Sequence, residues 1–94
     1  RQTLAAGEFD LPTELRYFEI LPGGHSTLER HDHSHLVIVV RGRGQVLMGE
    51  SLADIAHLDV VRVPPQTWHQ FRATTEEPLG FLCIVNEDRD KPHR

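Results

Sequence analysis

The chain has 94 residues, which is the length of one domain with a small core. Its formal net charge of -4 argues against nucleic acid as a partner, because nucleic-acid-binding domains usually present a basic face. The longest apolar run, residues 36–40, is too short to cross a bilayer, which argues against membrane insertion. Cys83 is the single cysteine, so an internal disulfide is excluded and a reducing, cytoplasmic location is expected.

Short apolar stretches separated by turn residues run along the chain and predict strands. The candidate strands lie at residues 15–21, 36–40, 44–48, 60–63, 69–72 and 79–85. Residues 50–57 are an exception, because their apolar positions would form one side of a helical turn or two. The two ends, residues 1–11 and 86–94, are polar and are expected to be loose or used for docking. We therefore predict one all-β domain over residues 1–94, a sandwich or barrel with its core at about residues 15–86.

A cluster of potential metal ligands occupies residues 29–35, where Glu29, His31, His33 and His35 stand at alternate positions. Residues four apart on a straight strand are separated by roughly 13 Å. One ion that binds imidazole nitrogen at about 2.0–2.1 Å therefore cannot bridge the whole run. The chain is expected to reverse at Asp-His-Ser, residues 32–34, since Asp and Ser favour turns. His33 would then lie in the turn, between two strands that carry the other candidates.

The spacing of this cluster resembles the first conserved motif of the cupin family. That motif is Gly, five residues, His-x-His, three residues, Glu, six residues and Gly. From Gly23 the chain has five residues, Glu29-x-His31, three residues, His35, six residues and Gly42. The spacing matches without a gap, while Glu29 and His35 occupy the positions of the first His and the Glu of the family.

A second stretch, residues 58–73, is similar to the second cupin motif, which is Gly, five residues, Pro-x-Gly, two residues, His, three residues and Asn. Pro64 and His69 keep the family residues, whereas Leu58 and Gln66 stand at the two glycine positions. The resemblance covers about residues 17–85. It implies an all-β fold, a small double-stranded β-helix of the cupin or jelly-roll kind, with a metal inside one end of the barrel.

The resemblance also implies how that metal would be bound. One divalent transition metal, Fe, Mn, Ni, Co or Zn, would be held by three nitrogens and one carboxylate oxygen. The candidate ligands are Glu29, His31, His33, His35 and His69. Glu29 could instead pair with a neighbouring arginine, in which case His33 would replace it. A simpler interpretation makes the alternate histidines a solvated strand edge and His69 a hydrogen-bonded structural residue.

The lining of the barrel follows from strand alternation, because residues that face inward alternate with those that face outward. If His35 faces inward, Val37 and Val39 do so too. On the last strand either the odd or the even positions of residues 81–85 complete the lining. Cys83 is interpreted as a buried small residue rather than a nucleophile. The remaining histidines are expected at the surface: His25, His57 and His93.

Two classes of function are compatible with the resemblance. The first is a metalloenzyme that acts on a small molecule, a dioxygenase, isomerase or lyase with a three-histidine, one-glutamate site. The alternative is a non-catalytic module that binds a metal or a metabolite. In both cases we expect a small-molecule ligand and a homodimer, because so short a chain gains from burying surface against a partner. Residues 1–20 would be the packed or swapped element of that dimer.

Overall fold

Two antiparallel sheets make up the structure, a computed structural model that describes residues 1–7 and 11–86. The strands are β1 (Gln2–Ala6), β2 (Thr13–Ile20), β3 (His35–Arg41), β4 (Gly44–Met48), β5 (Ser51–Ile55), β6 (Val60–Val63), β7 (His69–Ala73) and β8 (Leu79–Asn86). One sheet has the order β1-β2-β8-β3-β6 and the other the order β5-β4-β7. Within the described ranges no helix is long and apolar enough to span a membrane. The predicted all-β fold is confirmed.

The prediction of a helical turn at residues 50–57 is wrong, because this segment contains β5. β4 and β5 form a hairpin in which Met48 pairs with Ser51 and Gly44 with Ile55. Gly49 has a φ of 60°, a conformation that glycine adopts readily and that closes a tight turn. β5 is the outermost strand of its sheet, and Ile55 is its one buried residue. The apolar residues of this segment are spaced as on one side of a helix, but they do not share a buried face.

The polar N-terminal segment is also more regular than the sequence indicated. β1 pairs antiparallel with β2 of the same chain, from Gln2 opposite Tyr17 to Ala6 opposite Glu14. It thereby forms the edge of the five-stranded sheet. The expectation for the other end, residues 86–94, falls beyond the described residues except at Asn86, which ends β8.

The core lies between the inward faces of the two sheets. β3 and β8 alternate between buried and more exposed positions along most of their length, and Val37 and Val39 are buried as predicted. The odd positions of β8 complete the lining, so the first of the two predicted registers is the one found. The buried hydrophobic residues are Val37, Val39, Val46, Ile55, Val61, Val63, Phe71, Ala73, Leu79, Phe81, Cys83 and Val85. Antiparallel pairing of β8 with both β2 and β3 fixes which side chains face this core.

Among the residues that the structure describes, two that are not glycine adopt left-handed backbone conformations, Leu58 with a φ of 70° and Gln66 with a φ of 63°. These are the two positions at which the second cupin motif has glycine. The chain therefore keeps the backbone path of the motif although it has lost the residues that adopt it without strain. A left-handed conformation costs an ordinary residue roughly 1–2 kcal/mol.

Leu58→Gly is expected to stabilise the protein by about 0.5–1 kcal/mol. The substitution removes the left-handed strain, and part of that gain is offset by the greater freedom of glycine in the unfolded chain. Leu58 is 66% exposed, so little packing is lost with its side chain. The free energy of unfolding in urea measures the effect.

Leu52→Gly is the matched control, because Leu52 is similarly exposed but lies within β5, where glycine weakens a strand. It is expected to lower the free energy of unfolding. Equal losses of stability in both variants would contradict the assignment of strain to Leu58.

Candidate metal centre

Three histidines come together where β3 and β7 begin. His35 is the first residue of β3, His69 is the first residue of β7, and His31 precedes a bend at residues 32–33. Each offers a ring nitrogen, and these three atoms lie within 4.8 Å of one another. All three residues are buried, with exposed fractions of 6–8%. We call His31, His35 and His69 the histidine triad; its members link the two sheets.

The segment before the triad is held in place by backbone hydrogen bonds to β7. Glu29 and His69 form an isolated bridge, in which each amide donates to the carbonyl of the other at 3.0 and 2.9 Å. His31 lies two residues further on, and its carbonyl accepts a hydrogen bond from the amide of Gln66 at 2.6 Å. The chain then bends at residues 32–33 and enters β3. The bend lies within the segment where the sequence predicts a reversal.

Each imidazole of the triad uses one ring nitrogen for a contact within the protein and leaves the other available to a metal. His69 Nδ1 lies 2.9 Å from the Thr67 carbonyl, which only accepts, so Nδ1 carries the proton and Nε2 has a free lone pair. His31 Nδ1 and His35 Nε2 are buried and have no hydrogen-bond partner among the described residues. A buried polar atom without a partner is unfavourable. A divalent transition metal would satisfy these atoms, so the residues present fit one.

The charge state of the triad also suits a metal. Burial is the main reason that the pKa of His31 is lowered to about 4, and repulsion from His69 contributes further. Burial likewise lowers the pKa of His35 to about 3, followed by repulsion from His31. Both rings are therefore neutral at pH 7, which is the form that binds metal.

Glu29 and His33, the two candidates for a fourth ligand, lie beside the triad in different ways. Glu29 Oε1 is 3.3 Å from His31 Nε2, and Glu29 Oε2 accepts a hydrogen bond from Thr27 Oγ1. The ring of His33 is half-buried, with its centroid 5.0 Å from that of His31 and 4.8 Å from that of His35. The group of mutually close donor atoms contains neither residue. The identity of the fourth ligand stays a prediction.

Cys83 contacts the triad directly. Its Sγ lies 3.2 Å from His35 Nδ1, on the side of the ring opposite the unpartnered Nε2. Its predicted burial is confirmed, since it is 3% exposed. The sequence alone did not show this polar contact, because the register of β8 against β3, with Cys83 opposite Val37, was unknown.

Arg16 is a polar residue of the site that the sequence interpretation missed. It lies on β2 opposite Cys83 and is 6% exposed. Its Nη2 donates to Cys83 Sγ at 3.8 Å, and its guanidinium carbon lies 5.3 Å from the centroid of the Phe18 ring. The available signal was the alternation of β2, which places Arg16 on the same face as the apolar Phe18 and Ile20. A charged residue on a buried face is rare unless it has a partner.

The remaining histidines that the structure describes lie away from the triad. His25 and His57 are exposed, as predicted, whereas His93 lies outside the described residues. His25 Nδ1 contacts the carbonyl of Ser26 and the side chain of Gln70. These residues therefore serve as controls for substitutions in the triad.

The metal-free protein is expected to lose stability as the pH falls from 6.5 towards 3. In the unfolded chain both imidazoles titrate near the ordinary pKa of 6.5, whereas burial keeps the folded pKa at about 4 for His31 and about 3 for His35. Within that window the unfolded state binds more protons than the folded state. The stabilisation that depends on neutral His31 and His35 is therefore complete above pH 6.5 and is lost on acidification. Urea unfolding of chelator-treated protein between about pH 8 and about pH 4 measures the slope.

His35→Asn provides the comparison for this titration, because it removes the group with the lower pKa while keeping a polar side chain of similar reach. The variant is expected to show a shallower loss of unfolding free energy on acidification. Parallel curves for the two proteins would contradict the assignment of the pH dependence to the buried triad.

Comparison with known proteins places this geometry in a family. Residues 16–85 match the family model cupin 2, described as a cupin domain. A curated protein of Rhodospirillum rubrum, named 1-methylthio-D-xylulose 5-phosphate methylsulfurylase, is 54% identical over 92 residues, which cover 98% of this chain and 58% of that protein. The chain thus spans less than two thirds of the length of this relative.

Solved structures agree in fold over almost the whole chain. A cupin 2 domain-containing protein from Halorhodospira halophila is 49% identical with a TM-score of 0.93, over 99% of this chain and 66% of that one. A cupin 2 conserved barrel domain protein from Rhodopseudomonas palustris is 54% identical with a TM-score of 0.91, over 97% of this chain and 62% of that one. The swapped order of Glu29 and His35 therefore does not remove the chain from the family that its motif spacing indicated. The chain belongs to the cupin family, as a small cupin-2 conserved barrel.

Proposed function

We propose that this protein is an enzyme that removes a methylthio group from a ketose phosphate and transfers it to a thiol. The observation that carries this proposal is the position of the single cysteine, whose Sγ lies 3.2 Å from His35 Nδ1 in the candidate metal centre. The 54% identity to the protein named 1-methylthio-D-xylulose 5-phosphate methylsulfurylase supports the substrate class. This function differs from the dioxygenase, isomerase or lyase classes that the resemblance implied, and it makes Cys83 a nucleophile, which the sequence interpretation did not expect.

The histidine triad would hold one divalent transition metal in this reaction. Glu29 is suited to orient His31, since its Oε1 lies 3.3 Å from His31 Nε2 and leaves Nδ1 for the metal. Carboxylates that accept from the second nitrogen of a ligating imidazole fix its orientation in this way. The bound ion would supply Lewis acidity towards a ketone oxygen of the substrate.

Cys83 is the group of this chain that can take up sulfur. In a 1-methylthio-2-ketose the methylthio sulfur is attached to the carbon beside the ketone. Attack of Cys83 Sγ on that sulfur forms an S–S bond and breaks the C–S bond, and the released electron pair remains on the carbon as an enolate. That carbon then takes up one proton, which balances the proton lost by the thiol. The products are a methyl disulfide on Cys83 and the ketose phosphate without its methylthio group.

A second thiol is needed to restore the enzyme. A small-molecule thiol that attacks the methyl disulfide of Cys83 would release the cysteine and leave as a methyl disulfide itself. Two electrons have then passed from the thiols to the carbon, because a C–S bond has become a C–H bond. The burial of Cys83, which is 3% exposed, would restrict this step to thiols small enough to enter the barrel.

Single-turnover mass spectrometry tests this function directly. The full-length protein, loaded with Fe, Mn, Ni, Co or Zn in turn, is mixed with 1-methylthio-D-xylulose 5-phosphate in the absence of other thiols. We expect the intact mass to increase by one methylthio group and the sugar phosphate to lose the same group. Addition of a small thiol should then give turnover. No adduct and no sugar product with any of the metals would contradict the proposal and favour the non-catalytic module.

A further inference from the structure

Arg16 is a buried cation whose neighbours satisfy little of its hydrogen-bonding capacity. A guanidinium has five N–H donors, and good N–H···O hydrogen bonds measure about 2.7–3.2 Å. The Arg16 side chain instead reaches Cys83 Sγ at 3.8 Å, and its Nε lies 3.8 Å from Glu14 Oε1. Nε is buried and has no hydrogen-bond partner among the residues described. Sulfur is a weak acceptor, and Glu14 lies at ion-pair distance without accepting a hydrogen bond from Nε.

A buried arginine with a purely structural role is expected to form a closer, hydrogen-bonded ion pair. Burying a guanidinium is unfavourable unless a carboxylate approaches closely, commonly through two parallel hydrogen bonds. Among the described residues, Glu14 is the carboxylate paired with Arg16, and its separation of 3.8 Å from Nε is too long for such a bond. On the side that faces Cys83, the N–H donors of Arg16 therefore keep hydrogen-bonding capacity for a ligand.

The pairing of β2 with β8 and the aromatic ring of Phe18 fix the position of Arg16. β2 places it directly opposite Cys83 of β8, and its guanidinium carbon lies 5.3 Å from the centroid of Phe18. Cys83 in turn lies 3.2 Å from His35, so one thiol separates the cation from the histidine triad. Arg16, Cys83 and His35 therefore form a continuous series of contacts from β2 to the histidine triad.

We propose that Arg16 forms an oxyanion-binding site inside the barrel, beside Cys83, which takes a negatively charged oxygen group of the ligand. The guanidinium is a suitable partner because its planar group binds oxyanions through two parallel N–H groups. If the proposed function holds, the bound group belongs to the ketose phosphate, either its phosphate or the oxygen beside the C–S bond that breaks. The binding site itself does not depend on that reaction.

Titration of metal-free protein with inorganic phosphate tests the site without relying on activity. Calorimetry at constant ionic strength is carried out on the full-length wild type, Arg16→Met, Arg16→Lys and Arg62→Met. Arg62 is exposed on β6 and provides a matched control. We expect saturable binding in wild type and Arg62→Met, and binding weaker by about tenfold or more in Arg16→Met. Arg16→Lys should be intermediate, because it keeps the charge but loses the paired donors.

Thermal melts with and without phosphate show whether a loss of phosphate binding in a variant comes from a folding defect. Phosphate should raise the melting temperature of wild type and Arg62→Met but not that of Arg16→Met. If wild type does not bind phosphate, or if Arg16→Met binds it as well as wild type, the oxyanion site is wrong. Arg16-dependent phosphate binding without methylthio transfer would leave this site standing and overturn only the proposed function.

Kinetics with a substrate that lacks the phosphate group show which oxygen group of the ligand Arg16 binds. If Arg16 binds the phosphate group, Arg16→Met should raise KM for the phosphorylated substrate and change little for the unphosphorylated one. If it binds the oxygen beside the C–S bond, the variant should lower kcat for both substrates. Unchanged kcat and KM in Arg16→Met for both substrates would contradict any role of the site in substrate binding.

Discussion

Cys83→Ser is expected to abolish methylthio transfer, with a loss of about 10³-fold or more, as is usual when a covalent nucleophile is removed. Serine has nearly the same shape, but its oxygen cannot form a stable bond to the methylthio sulfur. The hydroxyl can still contact His35 Nδ1, where Cys83 Sγ lies at 3.2 Å, so the fold and the metal centre should persist. Intact-mass measurement after mixing with substrate should show no methylthio adduct.

The interpretation of this variant depends on its metal content. Cys83→Ser should bind the same amount of metal as wild type, since Cys83 is not one of the three mutually close donors. Val85→Ala, a substitution at another buried position of β8, controls for general loosening of the strand and should retain adduct formation. Substantial turnover by Cys83→Ser would show that the thiol is not the sulfur acceptor.

Removal of one triad histidine is expected to abolish stoichiometric metal binding. The wild type, purified untagged and without chelator, should contain about one equivalent of a transition metal, as in other sites with three or four protein ligands. His35→Ala and His69→Ala should each contain much less, because each variant loses one of the three buried imidazole donors. Elemental analysis by plasma mass spectrometry gives the result. His57→Ala, at an exposed position, is the matched control and should retain the metal.

Elemental analysis also shows whether Glu29 or His33 is the fourth metal ligand. Glu29→Gln keeps an oxygen that can accept from His31 Nε2 but removes the carboxylate charge. If Glu29 orients His31, this variant should retain metal with weaker affinity, by about 10–100-fold. If Glu29 is a ligand, the metal should be lost as in His69→Ala, whereas loss in His33→Ala would identify His33 as the fourth ligand. Wild-type protein without metal even after incubation with each candidate ion would overturn the metal centre.

The sequence predicted most of the fold because alternation and turn residues are local signals. Five of the six predicted strands agree with the structure to within one residue at either end, and β2 to within two. β5 was missed because an exposed edge strand has no alternating buried face to reveal it. β1 was missed for a related reason, since its burial pattern is almost wholly exposed and its pairing with β2 is a long-range property.

The candidate site was predicted as a set of residues but not as a geometry. The reversal at residues 32–34 follows from the reach of a metal–nitrogen bond, and the structure places His31, His35 and His69 together. The contacts of Cys83 and Arg16 could not be predicted, because they depend on the register of β8 between β2 and β3. The homodimer, the small-molecule ligand and the cytoplasmic location stay predictions.

Gln66 stands where the motif has glycine, and its hydrogen bonds connect two segments of the candidate metal centre. Its backbone is left-handed, its amide donates to the carbonyl of His31, and its side-chain Nε2 donates to Asp32 Oδ1. The turn before His69 is thereby fastened to the segment that follows His31. We therefore expect these two segments, which carry candidate ligands, to unfold locally as one unit. On that expectation the candidate site would open and close as a whole.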